Sequence, residues 1–180
     1  MFMVSSSLRG FLPPGNSNIS LVYLRTRKET IVNLDIVVGW YLLALVEVLQ
    51  LFPASHSGYE RLLGYLQSLC DAIIAAQDEK TNGWWLVMTP GTEGIWGNYI
   101  ESSGSSMFVA GLMKALRLGF IEGQQYRRSA LAGLDLMTST FARPRGSDGA
   151  LTYQWTVQTG SLSSNGTFEV SLVIKLGACL

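Results

Sequence analysis

The stretch VVGWYLLALVEVLQLFP, Val37 to Pro53, is apolar on almost every face, yet it carries Glu47 and Gln50 three positions apart and stops at a proline. It is too short for a bilayer, which needs roughly 20 consecutive apolar residues. A helix this apolar all round has to be enclosed by protein. The rest of the chain says what encloses it.

Sliding the sequence along itself gives a register. WYLLALVEVLQLF from Trp40 lies over MFVAGLMKALRLG from Met107, 67 positions on, with Leu45 over Leu112, Leu49 over Leu116 and Leu51 over Leu118. Glu47 and Gln50 fall on Lys114 and Arg117, and further along Tyr59 falls on Tyr126 and Leu69 on Leu136. One position short of that register, NGWWL from Asn82 meets DGALT from Asp148. Self-similarity at a fixed period marks an array of supersecondary units.

Each unit reads as two helices of different character. The first, about 38–52 and 103–119, is apolar on nearly every face; the second, about 58–77 and 124–141, is amphipathic. Leu62, Leu63, Leu66, Leu69, Cys70, Ile73 and Ile74 recur at the spacing of one buried face, opposite Glu60, Gln67, Ser68 and Asp71. Ser57 and Glu60 have the spacing of a capping box at the start of that helix, and Pro53 and Gly58 punctuate the turn before it. Asn-Gly and Asp-Gly turns followed by β-prone residues predict short extended segments closing each hairpin. Two layers satisfy the pattern: enclosed inner helices touching one another, and amphipathic outer helices facing water. The polar pair of the opening stretch then marks a narrow stripe beside a cavity or layer gap.

Composition narrows the function. The 180 residues carry net charge +0 and only 14% charged side chains, with no basic run. Nucleic-acid binding, which needs clustered Lys and Arg, is excluded, and no segment reads as a membrane span. The start, MFMVSSSLRGFLPPG, lacks the basic flank and sustained apolar core of a secretory leader, so the compartment is left open. Cys70 and Cys179 make no disulfide framework and no zinc-ligand spacing, and the single histidine, His56, leaves no His-rich metal site. Cys70 reads as buried filler. No cofactor is indicated.

VGWYLLALVEVLQLFP, GWWLVM, GNYIESSGSSMF and ALRLGFI, in this order, resemble the C-terminal half of the unsaturated rhamnogalacturonyl hydrolases, glycoside hydrolase family 105, with wording closest to fungal members. The likeness runs from about Asp35 to Glu169 and includes TGSLSSNGTFE. It implies the six-hairpin glycosidase fold, an all-α (α/α)6 toroid of helical hairpins with short β segments between them, here incomplete. It also implies hydrolysis of an unsaturated galacturonyl residue from the end of pectin-derived oligosaccharides. In that chemistry an aspartic acid protonates the C4=C5 double bond, water adds, and the resulting hemiketal opens. This differs from glycoside cleavage by two opposed carboxylates.

The resemblance also bears on individual residues. Trp40 matches the family's tryptophan beside the unsaturated sugar, where an indole offers a flat apolar face near the positive end of a helix. The family pattern places a carboxylate-gripping arginine four residues earlier; this chain has Ile36 there, while Arg25 and Arg27 lie nearby without aligning. Glu101 opens ESSGSSMF, either lining the cavity or serving the start of its helix. Trp84, Trp85 and Trp96 invite a stacking role, but neighbouring residues on an extended segment point to opposite faces, so one of Trp84 and Trp85 at most meets a given ligand; Trp85 is the candidate. Asp35 reads as a helix cap. No catalytic residue is transferred, because the family's catalytic aspartates belong to hairpins before this tryptophan. Asn18 and Asn165 are formal glycosylation acceptors, meaningful only in a secreted chain.

Three segments follow: 1–34, which does not match the family; 35–169, a partial six-hairpin domain; and 170–180, a divergent tail. The expectation is a truncated, catalytically impaired member of the family, with uncovered inner helices prone to self-association and an unsaturated uronyl oligosaccharide as ligand. The alternatives are a non-catalytic hairpin module binding carbohydrate or protein, and half of an unrelated α/α toroid.

Overall fold

Four helices carry the structure, a computed structural model that describes residues 35–146 and 149–157 together with the backbone of 24–25 and 31–32. They are α1 (Asp35–Leu51), α2 (Tyr59–Ala75), α3 (Ser102–Arg117) and α4 (Gln124–Leu136), the last running into a π-helical turn over Met137–Phe141. Before α1, β1 (Leu24–Arg25) pairs antiparallel with β2 (Ile31–Val32); after the π turn, β3 (Ala142–Pro144) pairs antiparallel with β4 (Leu151–Tyr153). The tail 170–180, most of 1–34, and Asn18, Asn165 and Cys179 lie outside the described residues.

The two apolar helices pack side by side and run in the same direction. Contacts climb both together: Asp35 meets Gly104, Gly39 meets Met107, Leu42 meets Gly111, and Glu47 pairs with Lys114. Glycine at 39 permits this approach, since a Cβ there would lie 2.8 Å from Met107 Cβ. Glu47 and Lys114, superposed by the sequence repeat, are bonded to each other across the helix pair. The outer pair climbs in step as well, with Gln67 Nε2 donating to the Phe120 carbonyl (3.0 Å), Tyr126 donating to Asp71, and Gln77 Nε2 donating to the Ser129 carbonyl (3.0 Å). Short connections make α1–α2 and α3–α4 hairpins. Two parallel inner helices backed by two outer ones are the layers that the repeat predicts.

The core lies between the layers: Leu42, Leu45, Val46 and Leu49 from α1, Leu66, Leu69, Cys70 and Ile73 from α2, Phe108, Leu112 and Ala115 from α3, and Tyr126 and Ala130 from α4. Trp84 is buried at its centre, edge-on to Phe108 at 5.2 Å, and its indole N–H donates to the Ile73 carbonyl at 2.8 Å. Burial pushes the Cys70 thiol up to about 12, which fits an inert filler.

Three local expectations are corrected. The capping box at Ser57 is not formed: α2 starts at Tyr59 behind Gly58, with no side-chain cap, and the Gly58 N–H donates instead to His56 Nδ1 at 3.0 Å. The tight turn offers the imidazole at two residues' distance, so the serine is not used. The extended segment after α2 is reduced to isolated bridge positions at Trp85, paired with Ile100, and Val87, whereas the second unit forms a true hairpin from β3 and β4. Finally, α1 is not enclosed all round. Trp40, Ala44, Val48 and Leu51 form an open stripe along it, with Leu51 88% exposed. Among the described helices none is long and apolar enough to cross a membrane.

Candidate functional site

The N-terminal ends of α1 and α3 come together because the chain between the hairpins stitches them. Asp35 N–H donates to the Leu86 carbonyl (3.1 Å), Glu101 N–H to the Trp84 carbonyl (3.0 Å) and Leu86 N–H to the Tyr99 carbonyl (2.8 Å). Asn98 organises the loop between: it accepts from Val87 N–H at 3.0 Å and donates to the Val87 and Thr92 carbonyls. The segment after β4 crosses the same place. Ser102 N–H donates to the Trp155 carbonyl (3.0 Å), Ser102 and Thr156 share a hydroxyl bond (2.7 Å), and Ser106 bonds the Tyr153 hydroxyl at 2.6 Å.

Trp40 stands on α1 just past this junction, 62% exposed. Ile36, one turn earlier, is half-buried against the small cluster of Leu86, Val87 and Val157. Trp84 and Trp85 separate as the alternation requires: Trp84 is in the core, while Trp85 is half-buried with its indole N–H toward Asp78 Oδ1 (3.3 Å). Burial pushes Asp78 up, but hydrogen bonds from Thr81 and Trp85 outweigh it and hold the carboxyl below its ordinary range. Trp96 is 86% exposed on the 89–98 loop. The structure does not gather Trp40, Trp85 and Glu101 around one described cavity. Two shallow grooves, of about 170 and 280 Å³, lie instead beside Arg117 and Arg127 at the far end of α3 and the start of α4.

Glu101 serves the helix start. It is the N-cap of α3, fully buried, with Gly104 N–H donating to Oε2 (2.6 Å), Val157 N–H to Oε1 (2.9 Å) and the Ser103 hydroxyl to both oxygens (2.9 Å). Asp35 departs from the cap reading. It is the first residue of α1, fully buried; its Oδ1 accepts from the adjacent Ile36 N–H at 2.6 Å, and its Oδ2 is enclosed against Gly104, whose N–H donates to Glu101, with no hydrogen-bond partner of its own. Burial first, then the neighbouring Glu101, pushes the Asp35 carboxyl well above the ordinary range. Sequence reasoning missed this acid pair, although the repeat register sets Asp35 over Ser102, one position from Glu101. Tyr99 and Tyr153, whose phenols act on these acids, and Trp155, whose carbonyl accepts from Ser102 N–H, carry no local signal. Among the described residues no group of three His, Cys, Asp or Glu side chains could hold a metal ion.

Paired helical hairpins, inner helices parallel and an aromatic residue exposed near their N-terminal ends, define a partial α/α toroid of the six-hairpin glycosidase class. The chain belongs to Glycosyl Hydrolase Family 88, whose sequence profile matches residues 37–169. It is similar to a glycoside hydrolase from family 105 of C. acetobutylicum, with TM-score 0.69 and 25% identity over 78% of this chain and 40% of that one. A family 88 glycosyl hydrolase of Bacteroides vulgatus shares the fold at TM-score 0.63 and 18% identity, over 77% of this chain and 37% of that chain. Among curated proteins, Protein Atu3128 of Agrobacterium fabrum and the 24.9 kDa protein in picA locus of Rhizobium radiobacter are each 35% identical over 96 residues, 53% of this chain. The chain spans 40% of the length of each of these two relatives.

Proposed function

We propose that this glycoside hydrolase-family protein binds the unsaturated galacturonyl end of pectin-derived, rhamnogalacturonan-type oligosaccharides and does not turn it over unaided. The observation that carries the reading is Trp40, a large aromatic face left open on an inner helix beside the N-terminal ends of α1 and α3. A nearly planar unsaturated ring fits an indole face. Trp85 is the second candidate contact, with Asp78 fixing its indole edge. Glu101 supports the rim from behind, since its carboxylate has no exposed surface.

Turnover requires a carboxylic acid that reaches the double bond. Two acids at the N-terminal ends of α1 and α3, Asp35 and Glu101, are sealed from solvent, and Ile36 occupies the position of the family's carboxylate-gripping arginine. Both facts favour binding without hydrolysis, close to the non-catalytic module among the sequence readings. The open stripe of α1 supports self-association as a companion property. The test is titration of the full chain with an unsaturated rhamnogalacturonyl disaccharide, following tryptophan fluorescence for binding and absorbance of the double bond for turnover. Quenching with constant absorbance is the expected result. Loss of absorbance would overturn the inactive reading; no binding at millimolar ligand would overturn the site.

A further inference from the structure

We propose that Asp35 and Glu101 share one proton, and that this proton is a pH-released latch holding the 153–157 segment across the N-terminal ends of α1 and α3. The geometry begins with satisfaction. Glu101 accepts from Ser103 Oγ, Gly104 N–H and Val157 N–H, so both of its oxygens already have donors. Asp35 accepts only from Ile36 N–H among the bonds described, and its Oδ2, fully enclosed, finds no donor. Gly104 lies against that same oxygen, so a side chain at 104 has no room there. A proton on Oδ2 donated to Glu101 satisfies both groups at once. Two ionised carboxylates in this enclosure would leave a buried charge without a partner.

The charged and titratable groups described as acting on the pair are few. Glu101 itself acts on Asp35, the Tyr99 phenol faces both acids, and the Tyr153 phenol faces Glu101. All are acids, so none of them offsets a second negative charge. When base removes the Asp35 proton to solvent, water has to enter beside Oδ2. Of the elements covering the site, α1 and α3 are held by their ladders and by the core. The 153–157 segment is held on α3 by four bonds, Val157 N–H to Glu101, Ser102 to Thr156, Ser102 N–H to the Trp155 carbonyl, and Ser106 to Tyr153, and at its start by the pairing of Tyr153 with Ala142 and by Gln154 N–H to the Phe141 carbonyl. Trp155 also sits at φ +64°, a left-handed conformation that a bulky L residue adopts only under constraint. This segment is therefore the one that yields.

The sign follows from linkage. A carboxyl that holds its proton more tightly folded than unfolded contributes stability that is complete below the ordinary aspartate pKa of about 3.9 and lost as pH rises to the folded value. The experiment uses the full chain labelled with 13C, followed by NMR from about pH 4 to about pH 10. The expected result is an Asp35 carboxyl signal that titrates well above the ordinary aspartate range, with Val157 amide protection falling in the same step while Leu112 stays protected. Titration of Asp35 near its ordinary value overturns the shared proton, and a raised titration that leaves Val157 protected overturns the latch. A second arm compares urea unfolding of wild type and Asp35→Asn, whose amide donates to Glu101 with no proton to lose. The folding constant of wild type is expected to fall by up to roughly tenfold per pH unit while that of the variant stays level; parallel slopes overturn the proposal. Should the variant not fold, the NMR arm still decides.

Discussion

At the scale of single residues, exposure separates side chains that serve a ligand from those that serve the fold. Trp40 is mostly solvent-exposed, so Trp40→Ala is expected to leave the urea midpoint within the range of ordinary surface changes, about 0.5 kcal/mol. Its loss is expected to weaken the unsaturated disaccharide about tenfold, the scale of one aromatic contact; an unchanged fluorescence titration would remove Trp40 from the site. Ile36→Arg runs the other way on both axes. It removes apolar contact with Leu86, Val87 and Val157, costing on the order of 1 kcal/mol. It also supplies a fork for the uronate, for which a charge-assisted bond contributes roughly 1.5–3 kcal/mol. Tighter binding with lower stability is the signature to seek by calorimetry and melting together. Gly104 is a fold residue with no such duality. A methyl group there lands on the Asp35 carboxyl, and Gly104→Ala is expected to cost about 1–3 kcal/mol of overpacking in chemical denaturation.

At the scale of elements, the helices were legible and their ends less so. The 3–4 spacing of Leu66, Leu69, Cys70 and Ile73 marks the face of α2 that is buried, because burying an apolar stripe outweighs every local preference. The start of the same helix was misread, because a capping box competes with any other acceptor the turn brings near, and His56 reaches the Gly58 N–H. That correction is testable: Ser57→Ala is expected to change stability by less than about 0.5 kcal/mol, where loss of a working cap would cost about 1 kcal/mol. The division of Trp84 from Trp85 follows from alternation alone, and so was available from sequence. The Asp35–Glu101 contact was not, since two acids 66 positions apart meet only once the inner helices are known to be parallel and staggered by the repeat. Tyr153 and Trp155, arriving from beyond the second hairpin, are tertiary neighbours that no local pattern announces.

At the scale of the molecule, the repeat says what kind of surface remains open. The face of α3 that meets α1 includes Met107, Gly111 and Lys114. The residues of α1 that the repeat superposes on these are Trp40, Ala44 and Glu47, all exposed. The stripe of α1 left in water is thus, position for position, a surface of the kind that already packs against an inner helix within this chain. Val48 and Leu51 extend it with apolar side chains, and the energy of covering such area, about 25 cal/mol per Å², favours any helix that fits. A chain with this face uncovered is expected to self-associate as concentration rises, and Val48→Glu with Leu51→Glu is expected to shift it toward the monomer. Both positions are exposed, so the double variant should keep its fold, which circular dichroism checks alongside sedimentation velocity. The same variant spares Trp40, so sugar binding should persist while association is lost. A wild-type chain that sediments as a single monomeric species across a hundredfold concentration range would refute this reading of the open face, because the packing surface on α1 would then be stable in water without a partner.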